Sequence, residues 1–513
     1  MRTERGKTMR RKLTWSLTAC LLGLALPSEA APLRYAEDQA PGIVNPLFTT
    51  TMVEARVSEL LFDGLYTDDQ DLATQKALVK SAEVEPDGMG MIITLRDDIS
   101  WHDGTSIAAD DVVFSIEAMK NPKTLSTEAG RVEWIKEAEA LDENTVHLRF
   151  SEVQHHPQDR LNFKILPKAQ FDGTQISRTH PFRTRPLGTG PYRLQSYNDD
   201  NSITFAANPN YRQTTGVSEL ILREVADKSY QAKLIQYESL EALVRVMPQD
   251  LAELSSSRKI ELYPYQTNSW WFLGFNQTKA PFDDPRVRQA LSQLVDVENL
   301  MAPIGTGEIL SGPYVKSSPF YNHDVAPWSH DPYAASSLLE EAGFVKEGGV
   351  WSRNGAPLKF TVTFHQNLET SQKVVINLQS QLRAEGVELV TEALDEAEWK
   401  ARVWRGRDFD SILSQWSFDR NEDVYAQFHS KGERNFSGYS NSTVDELLDK
   451  ARSAADPYDK KSALRAVHQI VRNDAPMVFL WTLDSYAALS TQVKRVLIHP
   501  FYFFTYVGEW QME

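Results

Sequence analysis

Residues 359 to 391 constrain the fold more than any other stretch. Lys359 to Phe364 reads as a strand and Ser371 to Glu385 as a helix. After Gly386, Val387 to Thr391 reads as a second strand. That order is a β-α-β unit, which joins two parallel strands through a helix packed on their sheet, so the chain is committed to an α/β architecture. Asp395 to Arg405 then reads as helical, and Phe409 to Leu413 as a buried strand. Just past that strand stand Trp416-Ser417-Phe418-Asp419-Arg420-Asn421-Glu422-Asp423. In α/β proteins ligands are gripped beyond the carboxyl ends of strands, so this stretch is the first candidate for a site.

The rest of the chain has the same character. Leu33 to Ala36 is a strand, followed by the loop Pro41-Gly42-Ile43-Val44-Asn45-Pro46. Val53, Val57, Leu60, Leu61 and Leu65 give Met52 to Leu65 a helical rhythm. Met91 to Leu95 is a strand. Val112, Val113, Ile116 and Met119 share one helical face, behind Asp110 and Asp111 in a first turn that favours carboxylates. Asn121-Pro122 ends that helix. Asp284 caps a helix that begins at Pro285 and buries Val287, Ala290, Leu291 and Leu294. Asp331-Pro332 repeats the device, and Gly343 suits a left-handed helix end. Ser442 is read as the cap of a helix carrying Val444, Leu447, Leu448 and Ala451, and Tyr458 to Asn473 as another. Met477 to Trp481 returns as a strand. A length of 513 residues allows roughly three domains of about 150 each.

The first 30 residues read as an export signal. Arg2, Arg5, Lys7, Arg10, Arg11 and Lys12 precede an apolar run from Leu13 to Leu26, and Ser28-Glu29-Ala30 offers a cleavage site. The only cysteine, Cys20, lies in this run. Leu17-Thr18-Ala19-Cys20 looks like a lipobox, but the apolar run continues past it, which disfavours a lipid-anchored form. The segment carries six basic and two acidic residues, so the chain beyond it holds 48 basic against 68 acidic, a net charge of −20. That balance disfavours nucleic acid and anionic membrane surfaces as partners. Without cysteine, disulfides and thiol chemistry are excluded from the exported form. A soluble, periplasmic protein is expected.

Several motifs then fall into a familiar order. They are Trp101-His102-Asp103-Gly104 with Ala108-Ala109-Asp110-Asp111-Val112-Val113-Phe114-Ser115, and Gly188-Thr189-Gly190-Pro191-Tyr192 with Asn208-Pro209-Asn210-Tyr211. Next come Leu273-Gly274-Phe275-Asn276 with Pro281-Phe282-Asp283-Asp284-Pro285-Arg286-Val287-Arg288, and His330-Asp331-Pro332-Tyr333-Ala334-Ala335 running to Gly343-Phe344. This ordered set resembles the family 5 extracellular solute-binding proteins, the oligopeptide- and dipeptide-binding proteins of ABC importers. The resemblance implies a bilobal periplasmic-binding-protein fold of class II type with an extra domain. It places one lobe in 31–67, 178–270 and 478–513, an appended domain in 68–177, and the other lobe in 271–477. Hinges are expected near 270 and 477. Ala108 departs from the Thr or Ser common at that position; an alanine cannot cap, which costs on the order of 1 kcal/mol.

The resemblance also assigns the site. In peptide-binding relatives a Trp-x-x-Asp pattern after this strand places an aspartate against the ligand's α-amino group, and Trp416 to Asp419 keeps that spacing. Asp419 is therefore the expected amine anchor, with Arg420 as a base able to neutralise it. Trp416 is a candidate cleft wall. Of Trp270 and Trp271 one is expected in the core and one toward the cleft, because strand side chains alternate. Thr50, Thr51 and Met52 match a loop that meets the ligand backbone. His102-Asp103 lacks a nucleophile, and the adjacent His155-His156 lack a third metal ligand. Gly188-Thr189-Gly190-Pro191 lacks the Gly-Lys-Ser/Thr of a phosphate loop. No catalytic residue, metal or cofactor is assigned. The expectation is a monomeric, non-enzymatic binding protein that takes a peptide or peptide-like solute and delivers it to an inner-membrane ABC permease. The alternatives are a non-peptide solute (oligosaccharide, opine, haem or nickel chelate) or an exported hydrolase.

Overall fold

The computed structural model describes residues 31–69, 73–171, 176–267, 269–366, 368, 370–417, 423–500 and 502–513. Its architecture is α/β, with the two lobes built on two mixed sheets. Among the described residues eight strands form the first sheet. Its order is Ile260–Gln266, Trp481–Ser490, Ala242–Leu243, Leu33–Glu37, Glu219–Glu224, Ile203–Ala207 and Tyr192–Tyr197, with Gly307–Ile309 added on Trp481–Ser490. Leu33–Glu37 lies parallel to both Glu219–Glu224 and Ala242–Leu243, and the helix Lys228–Gln236 connects those two.

The second sheet runs Glu388–Leu394, Lys359–His365, Ser411–Ser417, Ser269–Phe275, Met477–Phe479. Lys359–His365 is parallel to both of its neighbours, and Ser371–Ala384 is the crossover helix. A third, antiparallel sheet of Val79–Val84, Gly90–Leu95, Thr145–Phe150 and Ile135–Ala140 carries the helix Ala109–Lys120. Its buried residues Met91, Ile93, Val146 and Leu148 share one apolar core with Leu33, Tyr35, Leu220 and Leu222 of the first sheet.

The chain passes from the first sheet to the second between Gln266 and Ser269, and returns across Leu480. The two passages run antiparallel, with Gln266 opposite Asp484 in one sheet and Phe272 opposite Phe479 in the other. Leu480 N–H donates to Trp271 O at 3.0 Å and keeps the passages paired through the gap.

Tertiary pairing shifts several element ends. The helix expected over Met52 to Leu65 stops at Leu61, because Gly64 docks as an extended residue against Lys164. A Cβ on Gly64 would lie 2.8 Å from Asn162 O, so that approach needs a glycine. The strand expected to end at Leu413 runs Ser411–Ser417, paired throughout with Ser269–Phe275. Met477 to Trp481 is not one strand but the short strand Met477–Phe479 followed, across Leu480, by the start of Trp481–Ser490. Asn441, not Ser442, caps the helix Ser442–Ser453. Ala108 makes no side-chain cap, and Asp111 compensates by accepting the Ala108 N–H at 2.9 Å. Gly188-Thr189-Gly190 holds a helix end. Gly190 N–H donates to Leu61 O at 2.9 Å, and a Cβ on Gly188 would stand 1.8 Å from that oxygen.

Arg288 ties the second lobe together. It is buried, and its guanidinium donates to Phe282 O, Asp474 O and Ala475 O at 2.6, 2.8 and 3.1 Å. Asp474 and Ala475 end the helix Pro457–Asp474, whose last carbonyls otherwise lack partners. Arg288→Met is expected to destabilise the fold by about 2 to 4 kcal/mol, because it strands buried acceptors. The exposed Arg286→Met should change stability far less, because solvent screens its ion pair with Asp284. Urea denaturation of the two variants checks the contrast.

Candidate ligand-binding site

A cavity of about 500 Å³ lies where the two lobes meet. Leu33–Glu37 contributes Ala36 and Glu37 to its wall, and the start of Met52–Leu61 contributes Met52, Val53 and Arg56. The passages between the lobes supply Thr267, Ser269 and Trp271 on one side and Leu483 to Tyr486 on the other. Ile304 to Thr306, Thr370, Gln415 and Ser417 close it from the second lobe. Leu33–Glu37 and Ser411–Ser417 both present their carboxyl ends, which follows the general rule for open α/β sheets. The volume falls within the roughly 300–1,000 Å³ of small-molecule sites.

Charge on this wall is mostly paired. Arg56 grips Glu37 in a two-pronged bridge at 2.7 and 2.6 Å, deep in the first lobe. Burial pushes the Glu37 carboxyl upward while the Arg56 charge opposes it, so the fork geometry keeps the pair ionic. Lys228 approaches Asp38 at 3.6 Å. Arg245 also lines the wall. Asp484 differs, since no lysine, arginine or histidine among the described residues lies within ion-pair distance of it. Thr370 is unusual in another way. It holds a left-handed φ of 65°, which a β-branched side chain rarely adopts, and its buried Oγ1 meets no hydrogen-bond partner among the described residues. Such strain gathers at ligand sites. Sequence patterns do not single out Asp484, Thr370, Arg245 or Tyr265, because the passages that gather them are tertiary.

The expected site residues separate. Trp271 is on the cavity wall, with its ring 6.2 Å from Trp481. Trp270 is on the opposite face of the same strand, packed on Phe272 and Phe479. Trp416 was expected beyond the strand and on the cleft wall. It lies within the strand, opposite Trp270 in register, so its side chain faces the lobe interior while Gln415 and Ser417 face the cavity. With the Gln427 amide oriented to satisfy both neighbours, Trp416 Nε1 donates to it at 2.6 Å. Arg434 covers the ring at 5.7 Å.

Met52 is on the wall and half exposed. Thr50 and Thr51 are not on it. Both are held by Glu54, whose Oε2 accepts the two backbone N–H groups at 2.8 and 3.1 Å, while Thr51 Oγ1 caps the helix. Asp419 and Arg420 lie outside the described residues, as do the first 30 residues and Cys20.

The histidines have other duties. His102 Nδ1 accepts the Gly188 N–H, and Asp103 turns instead to Thr105. His156 Nε2 meets Ala455 O at 2.8 Å, joining the region of the third sheet to the second lobe. A buried Ser311-His468 pair at 2.8 Å resembles a nucleophile and base. However, His468 Nδ1 accepts the Asn322 N–H, so the proton sits on Nε2 and points at Ser311. A base already protonated toward the hydroxyl cannot take its proton, and neither side chain reaches solvent.

Two outcomes follow. Trp416→Ala should lower stability by about 2 kcal/mol and leave solute affinity unchanged, whereas Trp271→Phe should weaken binding. Calorimetry beside urea denaturation separates the two faces. Burial also holds His102 and His468 down at about 4. Unfolded, each protonates near pH 6.5, so between about 6.5 and 4 the unfolded chain binds more protons and stability falls as pH drops. The full loss is on the order of 3 kcal/mol per histidine. Denaturation at pH 7 and 4.5 tests this: His468→Gln should shrink the difference, and an unchanged difference removes His468 from the acid response.

The model of the bacterial extracellular solute-binding proteins, family 5 middle, matches residues 73–437, more than half of the chain. The oligopeptide-binding protein AppA of Bacillus subtilis is 23% identical over 496 residues, covering 92% of this chain and 90% of its own. Its structure in complex with a nonapeptide superposes with a TM-score of 0.77 at 22% identity, covering 95% of this chain and all of that one. The glutathione-binding protein GsiB of Shigella dysenteriae is 25% identical over 482 residues, 89% of this chain and 90% of its own. NikZ of Campylobacter jejuni, solved with Ni(L-His), gives a TM-score of 0.76 at 26% identity over 95% of this chain and all of that one. Fold, ordered motifs and family model agree, and the chain belongs to the family 5 bacterial extracellular solute-binding proteins.

Proposed function

We propose that this protein is the solute-receiving component of an ABC importer and closes on a peptide or peptide-like, amine-bearing solute. The observation that carries this reading is the cavity itself, walled from both lobes and crossed by the paired passages between them. Rotation about those passages opens or buries the wall without breaking either sheet, a hinge motion whose population follows ligand. The closed form then docks on an inner-membrane permease that opens it. Binding and release are its whole task; no bond in the solute is broken. The relatives named for oligopeptide and glutathione binding support a peptide-like solute.

Under this reading the first 30 residues direct export to the periplasm and are removed, and the mature chain acts as a monomer. One lobe spans 31–67, 178–270 and 478–513, the other 271–477, with 68–177 appended. Asp419 pairs with the solute's α-amine, and Trp271 and Met52 supply apolar wall. Lys228 and Arg245 make the positive side, suited to a carboxylate. Arg420 sets how much of the Asp419 charge is left for a ligand. A nickel chelate of an amino acid is the second reading, favoured by the likeness to NikZ.

Calorimetry against a peptide pool, a nickel-histidine complex and an oligosaccharide pool decides between these solutes. Asp419→Asn should weaken peptides with a free N-terminus by about 2 to 4 kcal/mol, since it removes a buried charged partner. N-acetylated peptides should be little affected. Equal losses for both would take Asp419 out of the site.

A further inference from the structure

Among the described residues the wall of the cavity carries three carboxylates, Glu37, Asp38 and Asp484. The first two face cations of the protein, Arg56 and Lys228. Asp484 does not. It sits in Trp481–Ser490, where the chain has just returned to the first sheet. Its backbone N–H donates to Thr306 O at 2.9 Å, which fixes the residue against the segment Gly305 to Gly307 that leads into the strand Gly307–Ile309. A Cβ on Gly307 would lie 2.1 Å from Thr482 O, so that segment is pressed directly onto Trp481–Ser490. The Asp484 carboxylate is partly buried, and among the described residues it meets no ion-pair partner. Thr267 and Ser269 face the same cavity, hydrogen bonded to each other at 2.7 Å, and neutralise nothing.

Once the lobes close and exclude water, a carboxylate that meets no counter-ion among the described residues is costly to bury unless the ligand supplies one. An ammonium or guanidinium placed there makes a charge-assisted hydrogen bond, strengthened as the closing lobes exclude water. We propose that Asp484 is a specificity-determining residue that binds a cationic group of the solute at the passage between the lobes. The cation is either the solute's α-amine or a basic side chain. This rests on the cavity being the solute site, and it adds a second acidic contact that no motif of the sequence announces. A neutral solute of equal shape leaves the carboxylate unpaired and binds less well.

The test is calorimetry of wild type and Asp484→Asn with Ala-Lys-Ala, Ala-norleucine-Ala and N-acetyl-Ala-Lys-Ala. The substitution preserves shape, and an unchanged urea midpoint establishes that the fold is intact. The expected result is a loss of about tenfold or more for a cationic peptide in the variant. If the preference for lysine over norleucine collapses, Asp484 reads the side chain. If only peptides with a free N-terminus lose affinity, it reads the α-amine. Binding of all three peptides equally by both proteins overturns the proposal. If wild type binds none of them, the peptide reading has failed, and the solute retained through purification decides by mass spectrometry. A retained solute with an ammonium or guanidinium group, held tenfold less by Asp484→Asn, upholds the role of Asp484. An uncharged or acidic one, or none retained, overturns it.

Discussion

The structure depends on keeping backbone hydrogen bonds continuous where the chain crosses between its lobes. Two extended passages leave one sheet and enter the other, and a strand entering a gap carries donors and acceptors that need partners. Here each passage partners the other: Gln266 with Asp484 in the first sheet, Phe272 with Phe479 in the second, and Leu480 N–H on Trp271 O between them. The pairing fixes register, and register fixes which side chain faces which way. Trp271 then has to face the cavity while Trp270 cannot. Trp416, opposite Trp270, is turned inward by the same constraint.

Electrostatics follow from that geometry. The cavity sits at the ends of strands that bring acidic and basic residues together, and most are matched within the protein. Arg56 and Glu37 form a fork-like pair whose burial is tolerable because both ions keep directed partners. Glu54 binds its own helix start and the preceding loop, so the threonines beside it hold a turn in place. Against this matched background the carboxylate of Asp484 and the left-handed backbone of Thr370 stand out on the cavity wall.

The buried histidines illustrate how far composition underdetermines chemistry. Ser311 and His468 have the residue types and spacing of an acyl-transfer pair. A single backbone N–H, from Asn322, puts the imidazole proton on the wrong nitrogen for that work. His102 is likewise oriented by Gly188, a residue 86 positions away. Arg288 completes the pattern, since it closes the end of a helix that begins at Pro457, far along the chain.

Local chemistry let the sequence alone determine much. The β-α-β unit at 359 to 391, the Asp-Pro helix starts at 284 and 331, and the ordered motifs are short-range patterns, and they carried the α/β class, the bilobal fold and the family. Each is decided by residues within a few turns of one another. What only the tertiary structure decided was the register of Ser411–Ser417 against Ser269–Phe275, the inward turn of Trp416, the capture of Thr50 and Thr51 by Glu54, and the gathering of Asp484, Thr370 and Trp271 around one cavity. The physical reason is that side-chain direction in a strand alternates with period two, so its face depends on a partner strand more than a hundred residues away. No window along the chain contains that partner.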